Sequence, residues 1–231
     1  MDATQLSRRL ETVAQFVPHN ARLADIGSDH AYLPVHLALN KQIEMAIAGE
    51  VADGPFQNAC HEINNRKLNE IIIPRLADGL AAVELADRID TITIAGMGGA
   101  LITEILDAGQ DKLTDVSLLI LQPNIGEAGL RKWLMEHSYA ITAEKIVAED
   151  QQIYEIIVAQ PNGHQINYSE SELLFGPQLI QEKTDVFITK WQLERDHLQQ
   201  ALTQMETAKQ LPIEKIASFK REINLIEEVL K

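Results

Sequence analysis

Cysteine is nearly absent from the chain: Cys60 is the single one in 231 residues. One thiol excludes an internal disulfide framework and a cysteine-based zinc site. It fits a reducing, cytoplasmic setting. Long apolar runs are missing too. No stretch of about 18 apolar residues occurs, so no membrane span is expected. The segment Met1 to Leu10 lacks a basic stretch followed by an apolar one, so no signal peptide is expected. Basic charge is scarce: 20 Lys and Arg stand against 34 Asp and Glu, a net charge of −14. That argues against broad nucleic-acid binding, which needs a positive field. A local basic patch stays compatible with it. His19, His36, His61, His137, His164 and His197 show no ligand spacing, so no metal site is expected.

What is present is an ordinary globular composition, 45% hydrophobic and 23% charged, long enough for a full core. Leu6, Leu10, Val13 and Val17 give residues 4–17 a helical stripe that Pro18 stops. Short apolar strands are then expected at Arg22–Ile26, Met45–Gly49, Ile71–Leu76, Thr91–Ala95 and Leu118–Leu121, with Pro74 an awkward member of the third. Helices are expected between them at Ala31–Leu39, Asp53–Lys67 (capped by Asp53), Ala100–Ala108 and Glu127–His137. Ile141–Val147 and Ile153–Ala159 follow as two strands with no room for a helix between. Alternation predicts an α/β fold, a doubly wound, Rossmann-like parallel sheet. The final pair predicts an antiparallel edge hairpin, an ending common among class I methyltransferases.

The chain divides near Pro161-Asn162-Gly163, giving residues 1–162 as one unit and 163–231 as another. In the second, Ile180, Thr184, Phe187, Trp191, Leu198, Leu202 and Met205 recur at helical spacing. After a break at Pro212, Ile213, Ile216, Phe219, Ile223, Ile226 and Leu230 do the same. The two stripes predict an antiparallel, coiled-coil-like helical hairpin. Its first helix, Gln178 to Gln210, would run roughly 50 Å and project as an arm.

Chemistry-bearing residues gather at the strand ends. Asp25-Ile26-Gly27-Ser28-Asp29-His30 follows the first strand. Glycine there lets backbone approach a ligand. Two carboxylates suit a cationic ligand better than a pyrophosphate, which wants N–H groups. The plain alternative is a turn that caps the next helix. Glu50 ends the second strand, where a carboxylate can accept both protons of a ribose diol; a solvated loop glutamate is the alternative. Asp78-Gly79 offers an acceptor beside a flexible backbone, or simply a turn. Gly96-Met97-Gly98-Gly99 implies a bend or a close approach, with Met97 free to pack on a flat ring, or glycine serving helix–sheet packing alone. Gln122-Pro123-Asn124 puts an amide with donor and acceptor at the switch-point end of the fifth strand, or makes a turn. An oxidoreductase is disfavoured, because the first turn lacks G-x-G-x-x-G and carries two carboxylates.

Leu6-Ser7-Arg8-Arg9-Leu10, Asp25-Ile26-Gly27-Ser28-Asp29-His30-Ala31-Tyr32-Leu33-Pro34, Gly96-Met97-Gly98-Gly99 and Leu121-Gln122-Pro123-Asn124 resemble the bacterial tRNA adenine-22 N1-methyltransferases, a resemblance over nearly the whole chain. Asp29 and His30 depart from methyltransferases in general, which usually carry further glycines there. The resemblance implies S-adenosyl-L-methionine as cofactor and tRNA as partner, without membrane or metal. It implies cofactor binding by Arg8, Asp25, Gly27, Ser28, Glu50, Val51, Asp78, Gly79, Gly96, Met97, Gly98 and Gln122. Asp29, His30 and Asn124 are the candidate catalytic residues. Arg8 is a candidate for the cofactor carboxylate or an RNA phosphate, with surface solvation as its alternative, and Tyr32 is either a base-stacking ring or a packing residue. Lys190, Arg195, Lys220 and Arg221 are candidates for gripping RNA. Residues 161–231, at net −3, repel it less than residues 1–160, at net −11. Basic residues are expected near the mouth of the site and along one face of the arm. Trp133 and Trp191 read as packing residues. A small-molecule or protein acceptor, and a non-catalytic interaction module, remain as competing readings. The stripes allow a monomer or a weak homodimer.

Overall fold

The computed structural model describes residues 2–206 and 213–231. The short aliphatic runs form parallel strands β1 (Ala21–Ile26), β2 (Ile43–Glu50), β3 (Ile72–Leu76), β4 (Thr91–Gly98) and β5 (Leu118–Ile125). β6 (Tyr139–Glu149) and β7 (Gln152–Pro161) make the hairpin, and β7 joins β5 antiparallel. The seven-stranded order is β3-β2-β1-β4-β5-β7-β6. Direction of build-up reverses between β1 and β4, which opens a crevice at their carboxyl ends. β3 lies at the sheet edge, where Pro74 costs no central ladder bond.

Strand side chains alternate between two cores. Ala24, Ile92, Ile94, Leu119 and Leu121 face α4 (Gly99–Ala108) and α5 (Glu127–Glu136). Leu23, Ala46, Leu118 and Ile120 face α1 (Arg8–Phe16), α2 (Tyr32–Leu39) and α3 (Asp53–Asn65). Burial on both faces explains why the strands read as continuous apolar runs. Two local expectations shift. α1 starts at Arg8, because the Ser7 hydroxyl caps it by accepting from Leu10 N–H. Leu6 therefore lies outside the helix. Asp53 is the first residue of α3 rather than its cap, a place in the first turn where its charge still complements the helix dipole.

The tail holds α6 (Glu170–Phe175), α7 (Leu179–Glu182), α8 (Asp185–Glu206) and α9 (Ile213–Val229), with α8 and α9 paired. The expected single helix from Gln178 is thus divided. Lys183 takes a left-handed φ of 42°, and Thr184 Oγ1 accepts from Phe187 N–H to start α8 afresh. The 22 residues of α8 span about 33 Å. The expected Gln210 end and the Pro212 break lie outside the described residues. The break at Lys183 lets Phe175, Leu179, Phe187 and Trp191 close around Ile146 of β6 in a third core. Trp133 is likewise buried, its indole N–H donating to Asp107 at 2.9 Å.

Buried charge fastens this tail to the sheet. Arg131 of α5 is fully buried. It donates through Nε to Glu144 of β6 at 2.8 Å, through Nη2 to Glu155 of β7, and through Nη1 to the carbonyls of Leu173 and Leu174 at 3.2 and 3.1 Å. Gln178 N–H donates to the second oxygen of Glu144 at 2.9 Å. Lys190 of α8 donates to Glu127 and Glu155, at 2.7 Å each. Burial opposes the charge of Arg131, yet Glu155 and Glu144 outweigh it and raise its pKa. Lys190 is raised by the same balance, with Glu155 and Glu127 prevailing over burial. At Glu144 burial prevails and the pKa rises.

Candidate active site

β1 delivers Asp25 to the bottom of the crevice and then turns sharply. Gly27 has φ 72°, and a Cβ there would stand 2.1 Å from Met97 Cε. The positive φ calls for glycine, and the close approach means that a Cβ would push the Met97 methyl aside. The Gly27 and Ser28 N–H groups both donate to Gly49 O of β2, at 2.9 and 3.2 Å. Asp25 is buried and accepts from Ser28 Oγ and Thr93 Oγ1, each at 2.6 Å. Burial raises its pKa against those two hydrogen bonds. Its first task is therefore to hold the turn.

Glu50, also buried, accepts from the Asp29 N–H, and burial raises its pKa as well. That bond ties the end of β2 to the turn and holds Asp29 at φ 54°. The Asp29 side chain points largely into solvent, 69% exposed. His30 stacks on Tyr32 with ring centroids 4.9 Å apart, and its Nε2 lies 3.8 Å from Asp29 Oδ1.

β4 contributes a bulge. Its register with β5 jumps between Ala95 and Met97, and Gly96 sits at φ 79°. Side chains of β5 restore the lost ladder bonds. Gly96 N–H donates to Gln122 Oε1 at 2.9 Å, and Asn124 Nδ2 donates to Gly96 O at 2.8 Å. Since a carbonyl only accepts, this contact fixes which end of the Asn124 amide faces inward. Its Oδ1 accepts one long bond from Gln122 Nε2, at 3.3 Å, and keeps acceptor capacity. Gln122 is wholly buried, so it positions the bulge rather than meeting a ligand from solvent.

One cavity of about 250 Å³ collects Asp25, Gly27, Ser28, Asp29, Gly96 and Met97. His30 and Tyr32 also line it. So does Arg9, whereas the sequence pattern pointed to its neighbour Arg8. Arg9 donates to Gln122 Oε1, and its guanidinium lies 5.4 Å from the centre of the Tyr154 ring. Burial lowers its pKa. Arg8 is exposed; its backbone N–H and that of Arg9 donate to Glu149 at the β6–β7 turn. Adjacent arginines at a helix start point about 100° apart, and Gln122 of β5 and Tyr154 of β7 receive the inward one. Val51 is 67% exposed beyond the end of β2. Asp78 and Gly79 open onto a different hollow, beside Leu101 and Ile105. Gly98 begins α4 as its N-cap, and Gly99 packs against the Gly126 backbone.

The basic residues of the tail are mostly engaged. Lys190, 19% exposed, is engaged in the buried network with Glu127 and Glu155. Arg195 pairs with Asp196, and Arg221 with Glu170. Among the described residues, no group of three or more His, Cys, Asp or Glu is arranged to hold a metal ion. No described helix is long and apolar enough to cross a membrane.

Residues 23–228 match the family model described as tRNA (adenine(22)-N(1))-methyltransferase. The chain belongs to that family. It is 45% identical over 212 residues to the tRNA (adenine(22)-N(1))-methyltransferase of Bacillus subtilis, covering 90% of this chain and 89% of the relative. Among solved structures, Streptococcus pneumoniae Sp1610 in complex with S-adenosyl-L-methionine is 46% identical, with a TM-score of 0.91, 98% of this chain and all of that one covered. M. capricolum TrmK in complex with S-adenosyl-homocysteine is 29% identical, with a TM-score of 0.85 over 98% and 99% of the two chains.

The cavity of this tRNA (adenine(22)-N(1))-methyltransferase family member fits such a cofactor on its own chemistry. S-adenosylmethionine carries a sulfonium, an ammonium, a carboxylate and a ribose diol. The cavity offers carboxylates of Asp25 and Asp29 to the cationic groups and the Arg9 guanidinium to the anionic one. At Gly27, where a Cβ would clash with Met97, the backbone itself forms the wall.

Proposed function

We propose that this chain transfers the methyl group of S-adenosylmethionine to N1 of an adenine in tRNA, at position 22. One observation carries the reading beyond family membership. The amide of Asn124 is anchored on the carbonyl of Gly96, a residue that lines the carboxylate cavity, and its oxygen keeps acceptor capacity on the side of the hollow that Asn124 itself lines. When bound, the cofactor supplies an electrophilic methyl on a sulfonium. Asp25, Gly27, Ser28, Gly96 and Met97 hold it, with Arg9 on its carboxylate. Glu50 braces the turn and stands at the end of β2 for the ribose, with Val51 beside it. Gly98 borders the adenosine end, whereas Asp78 and Gly79 line a separate hollow and take no part in holding the cofactor. Arg8 is left for an RNA phosphate.

Adenine N1 carries a lone pair in the neutral base, so the chain needs no general base. Its tasks are to place N1 in line and within about 3–3.5 Å of the methyl, and to favour positive charge appearing on the base. Asn124 Oδ1 accepts from the N6 amino group. Asp29, with its exposed carboxylate at the mouth, favours the cationic methylated base. His30, stacked on Tyr32, supports the turn and presents a ring edge to the base. Residues 1–162 hold the chemistry, and 163–231 form the arm that meets the tRNA body. The enzyme works in the cytoplasm as a monomer or weak homodimer.

The test is transfer of labelled methyl from S-adenosylmethionine to unmodified tRNA, followed by nucleoside analysis and mapping of the modified position. N1-methyladenosine at position 22 is the expected product. Cofactor binding without RNA labelling would redirect the reading to a small-molecule or protein acceptor. Loss of cofactor binding as well would leave an interaction module.

A further inference from the structure

We infer that Ile125 is a positioning wedge: it enters the gap that the target adenine leaves in the tRNA stack, and so holds that adenine out for reaction. The inference rests on the proposed reaction. N1 lies on the pairing edge of adenine, so in folded tRNA the base must leave its stack before N1 can be reached. Extrusion leaves an apolar gap between neighbouring bases, and proteins that open stacks fill it with an aliphatic or aromatic side chain.

Ile125 has the required placement and chemistry. It follows Asn124 directly and ends β5, at the carboxyl rim of the sheet. It is 72% exposed, although Leu119, Ile120 and Leu121 on the same strand are fully buried. Its backbone is stiffly held. It pairs with Gly98 of β4, and the next residue, Gly126, turns at φ 81°. A Cβ on Gly99 would lie 2.5 Å from Gly126 O and 3.1 Å from Ile125 O, so α4 abuts this turn without slack. A β-branched side chain on such a support has few rotamers to lose on insertion. A second cavity, of about 390 Å³, lies on the side of Ile125 toward Trp191 and Lys190. The wedge thus stands free rather than packed.

The test places 2-aminopurine beside the target adenine in a tRNA transcript, where its fluorescence rises when the target leaves the stack and the target keeps the N6 amino group that Asn124 holds. Wild-type enzyme with S-adenosyl-homocysteine is expected to raise the signal, and Ile125→Ala to raise it much less at saturation. With ordinary tRNA, Ile125→Ala is expected to lower kcat/KM roughly tenfold, the factor that about 1.4 kcal/mol of lost unstacking help represents. Ile125→Leu should restore most of it. On a transcript whose target adenine is left unpaired by a mismatch, the loss should shrink to about twofold or less. Calorimetric affinity for S-adenosylmethionine should be the same in all three proteins, which excludes a folding defect. Equal losses on paired and unpaired targets, or an unchanged fluorescence rise in Ile125→Ala, would overturn the wedge. Wild-type methylation of tRNA, run alongside, separates the two readings. It persists if only the wedge is wrong. It is absent if the reaction itself is wrong, and the wedge then falls too.

Discussion

Replacing Arg131 by Met removes the centre of the buried charge network while keeping an unbranched apolar side chain. Glu144 then retains only the Gln178 N–H, at 2.9 Å. Glu155 retains Lys190, at 2.7 Å. The carbonyls of Leu173 and Leu174 lose a donor. Breaking a buried pair from one side costs about 3–5 kcal/mol, since the charge left behind is uncompensated. For a chain of this size about 3 °C is lost per kcal/mol, so the melting temperature should fall by about 9–15 °C. The loss should also depend on pH. Glu144 already has a raised pKa, from burial first, and losing Arg131 raises it further. A carboxyl whose folded pKa lies above its unfolded value binds more protons folded than unfolded, so its stabilising effect is lost as pH rises through the folded pKa. The deficit of Arg131→Met should therefore be smaller near about pH 5 than near about pH 8. The double variant Arg131→Met/Glu144→Gln should recover part of the loss at the higher pH. Thermal melts followed by circular dichroism across that range check all three statements. A variant within about 1 kcal/mol of wild type, or a deficit that grows toward acid, would refute the account of the network.

Gly27→Ala places a Cβ 2.1 Å from Met97 Cε at φ 72°. It should cost about 1–3 kcal/mol in strain and weaken S-adenosylmethionine binding by more than tenfold in calorimetry; Gly54→Ala, where a Cβ meets nothing within 4 Å, serves as the control. Arg9→Leu should weaken cofactor binding at least tenfold and Arg8→Leu by less than twofold; the reverse ranking would return the cofactor role to Arg8. Lys190→Met should lower the melting temperature while leaving KM for tRNA within about twofold, because its ammonium is spent on Glu127 and Glu155. A large KM change without destabilisation would put Lys190 on the RNA after all. Asn124→Ala should reduce methyl transfer about a hundredfold in single-turnover assays, far more than it weakens cofactor binding through the Gly96 bulge it anchors.

Local pattern makes the succession of elements along the chain readable: aliphatic runs with helical stretches between them, a closing hairpin, and acidic or glycine-rich turns at each strand end. These follow from near-neighbour rules, since two-sided burial, glycine at positive φ and helix periodicity each leave marks within a few residues. Hence Gly27, Gly96 and Asp25 stand out by local pattern alone, and they meet in one cavity. Contacts between distant residues leave no such mark. Whether Arg8 or Arg9 turns inward depends on Gln122 and Tyr154, on strands far along the chain. Lys190 has the pattern of a solvent-facing charge because its partners, Glu127 and Glu155, lie on other elements. Lys183 carries no proline or glycine signal, yet the need to close Phe187 and Trp191 over Phe175 breaks the long helix there. Asp78 and Gly79 sit at a strand end like the others, but the fold turns them into a separate hollow. Periodicity and turn chemistry are properties of neighbouring residues, so the sequence by itself determined the elements of the sheet domain and the strand-end constellation, though not the break at Lys183. Charge pairing and the aim of side chains arise only when remote segments are brought together, so the tertiary structure decided which of those residues face one another.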